Sequence, residues 1–366
     1  MSWHDSVSGR NRAIADAGQW RTIRTLDGPG PVFALDDGRS IVSFASNDYL
    51  GLTQHPLVRR AAIDAVDRWG TGSGSARLIV GARPIHRELE AELAEWKATE
   101  AAVLFPTGFA TNLGVLTALA TEGVLVVSDE LNHASIIDGC RLARGTIAIA
   151  RHRDVAHVDA LLAGHDGPAI VVTDTVFSMD GDEATLPELL DVCARRDALL
   201  LLDEAHAVMG PSLPPSDVTV VRVGTLSKTL GALGGFVAGP RPFIDLLVNA
   251  SRPFIFTTAP TPADSAAALA ALRVWRSAEG DALVERLRAH VDRVAPGHPS
   301  PIVPIVIGDE QRALDAASRL LDEHGLLVPA IRPPTVAPGT SRLRVALSAA
   351  HTEEEVDRLA KALTEL

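Results

Sequence analysis

The sequence predicts an α/β protein in which helices cover both faces of a mostly parallel sheet. Three observations carry this. Short apolar runs recur at residues 101–105, 125–128, 146–149, 169–173, 199–203 and 218–223. They do not alternate with polar residues, as expected of strands buried on both faces. Helix-period segments separate most of them, beginning near Thr107, Asn132, Asp154 and Leu186, the connection that neighbouring parallel strands require. Polar clusters follow the runs: Thr107-Gly108-Phe109, Asp129 to His133, Asp174 to Ser178, Asp203 to His206 and Thr225 to Lys228. Sheets of this kind collect ligands at the carboxyl ends of their strands, so all five clusters are expected to face one crevice.

Length and composition set the bounds. The chain has 366 residues, 46% of them hydrophobic, enough for a sizeable core and about two domains. A net charge of −12 argues against nucleic acid as the main partner. The two cysteines, Cys140 and Cys193, read as small core residues in a reducing compartment. The first dozen residues are polar, and no run is long enough to span a membrane. A soluble cytoplasmic protein is expected.

The elements follow in order. Residues 1–44 read as a polar N-terminal segment with a turn at Gly28-Pro29-Gly30-Pro31 and a hairpin connection at Asp36-Asp37-Gly38-Arg39. Leu57, Ala61, Ala65 and Val66 recur at helical spacing up to Trp69. Gly70-Thr71-Gly72-Ser73-Gly74-Ser75 follows that helix rather than a strand, so it is not a dinucleotide-binding fingerprint. Residues 84–97 form an amphipathic helix with Pro84 at its start. Residues 45–250 make the large domain and 251–366 a smaller α/β domain. The latter holds helices at 262–276 and 282–294, a Pro-rich linker at 295–301, strands at 302–307 and 343–347, a helix at 312–324 and a last helix from Thr352.

Lys228 stands at the end of an apolar run, between small residues and hydroxyls. Burial disfavours an ammonium, and a lysine amine so perturbed is a Schiff-base nucleophile. On this stretch alone a phosphate-binding or surface lysine fits better. Asp203-Glu204-Ala205-His206 spells a helicase ATPase signature, but no Gly-Lys-Ser/Thr phosphate loop precedes it. A carboxylate at the end of so apolar a strand needs a cationic partner. An arginine would serve; so would a protonated ring nitrogen, if Lys228 holds the same ring as an imine. That second pairing is the one expected of pyridoxal 5'-phosphate. Thr107-Gly108-Phe109-Ala110-Thr111-Asn112 opens a helix directly after a strand, so its free N–H groups suit either a phosphate or plain capping. Gly108 permits close backbone approach, and Thr225 and Ser227 add hydroxyl donors. His133 suits either stacking on the ring or a structural role, and Ser178 and His206 are polar tips that could bond its phenolic oxygen.

Ser46-Asn47-Asp48-Tyr49-Leu50-Gly51-Leu52, Asn132-His133-Ala134-Ser135-Ile136-Ile137-Asp138-Gly139, Val176-Phe177-Ser178-Met179-Asp180-Gly181-Asp182, Asp203-Glu204-Ala205-His206 and Thr225-Leu226-Ser227-Lys228 together resemble the α-oxoamine synthases. These are pyridoxal-phosphate enzymes of fold type I, and the resemblance spans essentially the whole chain. It implies that Lys228 anchors the cofactor and then moves the amino acid's α-proton. Asp203 pairs with the pyridinium, His133 stacks, Ser178 and His206 contact ring substituents, and Gly108, Phe109 and Thr225 bind the phosphate. Arg344 takes the amino-acid carboxylate, although Arg342 lies on the same strand face. Arg21 and Thr335 match positions that contact the acyl substrate. The family is homodimeric, and Phe256-Thr257-Thr258 is placed to reach a neighbour's phosphate. Residues 330–344 and the opening Met1-Ser2-Trp3 look most like the biotin-pathway members, which join L-alanine to a pimeloyl thioester on CoA or acyl carrier protein with loss of CO2. Glycine C-acetyltransferase is the rival, since Asn132 to Gly139 and Ser251-Arg252-Pro253 suit it too. Ala207-Val208-Met209-Gly210, the short run to Val218 and Gly74-Ser75-Ala76-Arg77 depart from the family's usual pattern.

Overall fold

The computed structural model describes residues 1–366. Its centre is a seven-stranded sheet of Ala101–Phe105 (β1), Leu125–Asp129 (β2), Thr146–Ala150 (β3), Ala169–Asp174 (β4), Ala198–Asp203 (β5), Val220–Thr225 (β6) and Gly235–Gly239 (β7), in the order β1-β7-β6-β5-β4-β2-β3. Neighbouring strands from β3 through β6 pair in parallel. Only β7 is reversed, antiparallel to both β6 and β1. The carboxyl ends of the other six strands therefore share one edge.

Strand alternation decides which side chain meets which layer. Ile170, Val172 and Leu201 pack in one core with helices Gly108–Leu119 and Ala134–Leu142; Val171, Leu200 and Leu202 pack in another with Val155–Ala163 and Leu186–Arg196. Continuing the count, Asp174 and Asp203 fall on the first face. They are also direct register partners. Glu204, one residue on, turns away. Its carboxylate lies 2.6 Å from Arg222 and 2.8 Å from Lys97, both well buried. The arginine partner that the tetrad invites thus belongs to Glu204 and not to Asp203.

Several of the expected helices have side-chain N-caps, although the one beginning at Leu186 has none. Thr107, His133, Asp154 and Thr352 each accept a backbone N–H two or three residues on. In the C-terminal part, Ser341–Ala346 pairs antiparallel with Ile302–Gly308 and Ala330–Ile331. The hairpin Val32–Ala34/Ser40–Ser43 joins it through Leu326–Leu327.

Some elements differ from expectation. Residues 3–16 are helical, started by a capping box between Ser2 and Asp5, yet bury no residue. β7 lies outside the six apolar runs read as strands. β6 begins two residues later than the apolar run, and the helices expected at 282 and 312 begin at Ala278 and Glu310. No helix is long and apolar enough to cross a membrane.

Candidate active site

Lys228 sits in the loop of the β6–β7 hairpin, residues 226–234, closed by Leu226 N–H to Gly234 O (2.9 Å) and Gly231 N–H to Lys228 O (2.9 Å). Its Nζ lies 2.7 Å from His206 Nε2. On the ring's other side, His206 Nδ1 is 2.6 Å from the hydroxyl of the fully buried Tyr49. Burial holds the lysine amine below its ordinary range, with Arg344 adding to the depression and Asp203 and Asp174 opposing it. Burial, then the charges of Lys228 and Arg344, push His206 well down, so its ring is neutral.

Asp203 accepts from Asn112 Nδ2 (2.6 Å) and Ala205 N–H (2.9 Å). All its partners are neutral, which leaves a buried carboxylate aimed at the crevice without a cation. Asn112 gives its second proton to Ser135 Oγ (2.9 Å), and Ser135 in turn donates to His133 Nδ1 (2.7 Å). His133 Nδ1 also accepts Ser135 N–H (3.2 Å). That chain of donors leaves the single imidazole proton of neutral His133 on Nε2. Burial depresses His133 as well, and Phe109 meets its ring edge-on at 6.4 Å. Asp174 takes His133 N–H (2.7 Å). Burial and then the charge of Asp203 raise the Asp174 carboxyl well above its usual range.

A helix start faces the hairpin base. Ala110 N–H is capped by Thr107 Oγ1 (3.0 Å), while Gly108 and Phe109 N–H have no acceptor within the helix. Gly108 packs so closely on Thr225 that a Cβ would come 3.2 Å from its Oγ1. Thr225 Oγ1 lies 3.0 Å from Gly234 O and 2.7 Å from Ser227 Oγ. Free N–H groups, a positive helix end and two hydroxyls at one point suit a bound phosphate.

The two arginines separate by partner. Arg342 pairs with the Asp180 carboxylate. Arg344, 6% exposed, donates only to neutral oxygens, Ser178 O (2.5 Å) and Asn47 Oδ1 (3.3 Å). A buried guanidinium without a carboxylate is what a bound anion would complete.

Gly108, Phe109, His133, Ser178, Asp203, His206, Thr225, Lys228 and Arg344 therefore gather at the carboxyl ends of the strands and the base of the hairpin. Arg21 and Thr335 are exposed, and neither side chain hydrogen bonds to the group. Phe256 is exposed too. Asn112, Ser135 and Asp174 were not singled out from sequence as site residues. Asp174 carried a signal as the start of a strand-end cluster, and Asn112 as an amide within an apolar helix, since a buried amide must find partners.

The family model of class I and II aminotransferases matches residues 39–363. An 8-amino-7-oxononanoate synthase of Anaeromyxobacter dehalogenans is 48% identical over 98% of this chain and 94% of its own. One from Methylobacterium sp. is 47% identical over 96% and 93%. Among solved structures, a serine palmitoyltransferase from S. paucimobilis with bound PLP–myriocin aldimine superposes with a TM-score of 0.89 at 29% identity, covering 99% of this chain and 96% of that one.

Proposed function

Because the chain belongs to the class I and II aminotransferase family, and within it to the 8-amino-7-oxononanoate synthases, we propose that it joins L-alanine to a pimeloyl thioester. The products are 8-amino-7-oxononanoate, CO2 and the free thiol of CoA or acyl carrier protein, a step of biotin biosynthesis. The observation that carries this reading is the near-full-length identity to relatives of that name. The site supports it independently.

Pyridoxal 5'-phosphate, when bound, supplies an electron sink next to the amino acid's α-carbon. The residues fit it. Lys228 would hold it through Nζ, Asp203 its ring nitrogen, and His133 one ring face. His206 and Ser178 would meet its ring substituents, and Gly108, Phe109, Thr225 and Ser227 its phosphate. Asp203 suits a cationic N–H because its present donors, Asn112 and Ala205, are neutral.

The rest is work for the chain's own groups. Arg344 binds the alanine carboxylate and so orients the α C–H bond. Lys228 Nζ, whose hold on a proton is weakened by burial, takes the α-proton and later returns one to the product carbon. Positioned proton transfer of this kind contributes ~10²–10⁴-fold. Arg21 and Thr335 would meet the acyl chain only as it enters from the surface. The protein is proposed to act as a homodimer, with Phe256-Thr257-Thr258 near the neighbouring phosphate seat.

The test offers L-alanine or glycine with pimeloyl-CoA, pimeloyl-acyl carrier protein or acetyl-CoA, and follows CO2 and free thiol. Release with L-alanine and a pimeloyl thioester supports the reading. Release only with glycine and acetyl-CoA replaces it with a glycine C-acetyltransferase.

A further inference from the structure

Tyr49, His206 and Lys228 form an unbroken hydrogen-bonded line, 2.6 Å from Tyr49 Oη to His206 Nδ1 and 2.7 Å from His206 Nε2 to Lys228 Nζ. The line continues: Tyr49 Oη is 3.1 Å from Asn47 Oδ1, which also accepts from Arg344. Tyr49 is fully buried and His206 nearly so, so solvent cannot replace a lost partner.

A neutral imidazole carries one proton for two nitrogens, an ammonium only donates, and a phenol both donates and accepts. These rules allow two arrangements. With Lys228 as an ammonium, Nε2 must be the acceptor, so the ring proton sits on Nδ1 and points at Tyr49 Oη. The Tyr49 hydroxyl proton then turns to Asn47. With Lys228 as an amine, the good acceptor is its lone pair. The ring proton then sits on Nε2, and Tyr49 donates to Nδ1. Tyr49 and His206 together hold the same number of protons in both arrangements; one proton has changed ring nitrogen and one hydroxyl has rotated.

We propose that Tyr49 is a positioning residue that lets His206 exchange tautomers as Lys228 gains and loses its proton. The lysine thereby meets an acceptor in one state and a donor in the other. The proposal rests on the reading of Lys228 as the amine that moves the α-proton. Burial supports it from the side of charge: it raises the Tyr49 hydroxyl to about 12, so the phenol keeps its proton, and keeps His206 neutral. The other groups facing this line are Asp203 and Asp174, which favour the ammonium, and Arg344 and His133, which carry or would carry positive charge beside the ring.

In Tyr49→Phe a proton on Nδ1 has no acceptor, and an unmade buried hydrogen bond is costly. The ring is then held as the Nε2–H tautomer, and the Lys228 ammonium faces a donor. Losing a hydrogen bond to a charged group corresponds to a fall in the lysine midpoint of about one pH unit or more.

The experiment uses full-length cofactor-free protein labelled with 15N in histidine and lysine, with His206→Gln to assign the ring signals. In the wild type the two His206 nitrogen shifts should exchange character at the pH where Lys228 titrates. In Tyr49→Phe they should stay in the Nε2–H pattern while the lysine midpoint falls. A wild-type tautomer that is constant through the lysine titration overturns the proposal, and so does a variant that switches as the wild type does. Because no substrate or cofactor is present, failure of the substrate assay would not move these shifts, and failure of the relay would leave the reaction standing.

Discussion

Arg342 and Arg344 stand two residues apart on one strand face and are both nearly buried, yet their replacement by glutamine should have opposite consequences. Arg344 has no carboxylate partner, so its charge is held at a cost that only a bound anion offsets. Truncating one side of a buried, hydrogen-bonded charge pair costs about 2–5 kcal/mol of binding. At about 1.4 kcal/mol per tenfold, Arg344→Gln should raise the KM for L-alanine at least about 30-fold. Unfolding free energy without substrate should stay within about 1 kcal/mol of wild type, because a costly charge leaves together with two hydrogen bonds. Arg342 instead pairs with Asp180, whose side chain is 31% exposed. Breaking that pair should cost about 2 kcal/mol, between the values for exposed and buried pairs, and leave KM nearly unchanged. The assays are thiol release against alanine concentration and urea unfolding of the substrate-free protein. A large KM effect from Arg342→Gln, or a destabilised Arg344→Gln with ordinary KM, would refute the assignment of the carboxylate to Arg344.

Two further outcomes follow from the site's surroundings. In Gly235→Ala the new Cβ would lie 2.3 Å from Thr111 Oγ1 and 2.8 Å from the Gly108 backbone. Overpacking there should cost about 1–3 kcal/mol in urea unfolding and weaken pyridoxal-phosphate binding in an absorbance titration; unchanged affinity would argue against a phosphate seat at Gly108. His152 bridges Asp129 and Asp182 at 2.9 Å each. Burial alone would lower it, but the hydrogen bonds and charges of the two carboxylates prevail and raise it to about 9. Its folded value exceeds the ordinary 6.5, so its contribution is complete below that pH and is lost as pH rises through about 9. Unfolding free energy should fall by about 2 kcal/mol across that window, and His152→Gln should remove this part of the slope.

Much of the frame was legible because it rests on burial and short-range chemistry. The apolar runs marked six of the seven strands of the main sheet, and helix starts were read near Thr107, Asn132, Asp154, Leu186 and Thr352, most of them beside caps that act within three residues. β7 escaped because glycines bound it at both ends and its five buried residues, Gly-Phe-Val-Ala-Gly, are few for a pattern. The helix Trp3–Asp16 escaped because it buries nothing, so the amphipathic signal was weak; its capping box was the available cue. The site's polar web was hidden for another reason. Asn112 and Asp203 are 91 residues apart, and no local spacing records a bond between a helix and a strand from different units. Arg342 and Arg344 were equivalent by alternation, and only their partners tell them apart.

The reversal of β7 has a consequence for how sequence length can vary around Lys228. At β2 and β4 the chain leaves through connections that end in helices, and such joints absorb an inserted residue by reshaping a turn. The lysine loop has no such slack. Its arms are locked in register, Thr225 opposite Gly235 and Gly224 opposite Phe236, and slipping that register by one residue would turn every following side chain to the other face of the sheet. An insertion or deletion between residues 226 and 234 would therefore have to be taken up within the loop itself, where it would move Nζ. Evolutionary drift in chain length should be tolerated after Asp129 or Asp174 long before it is tolerated beside Lys228.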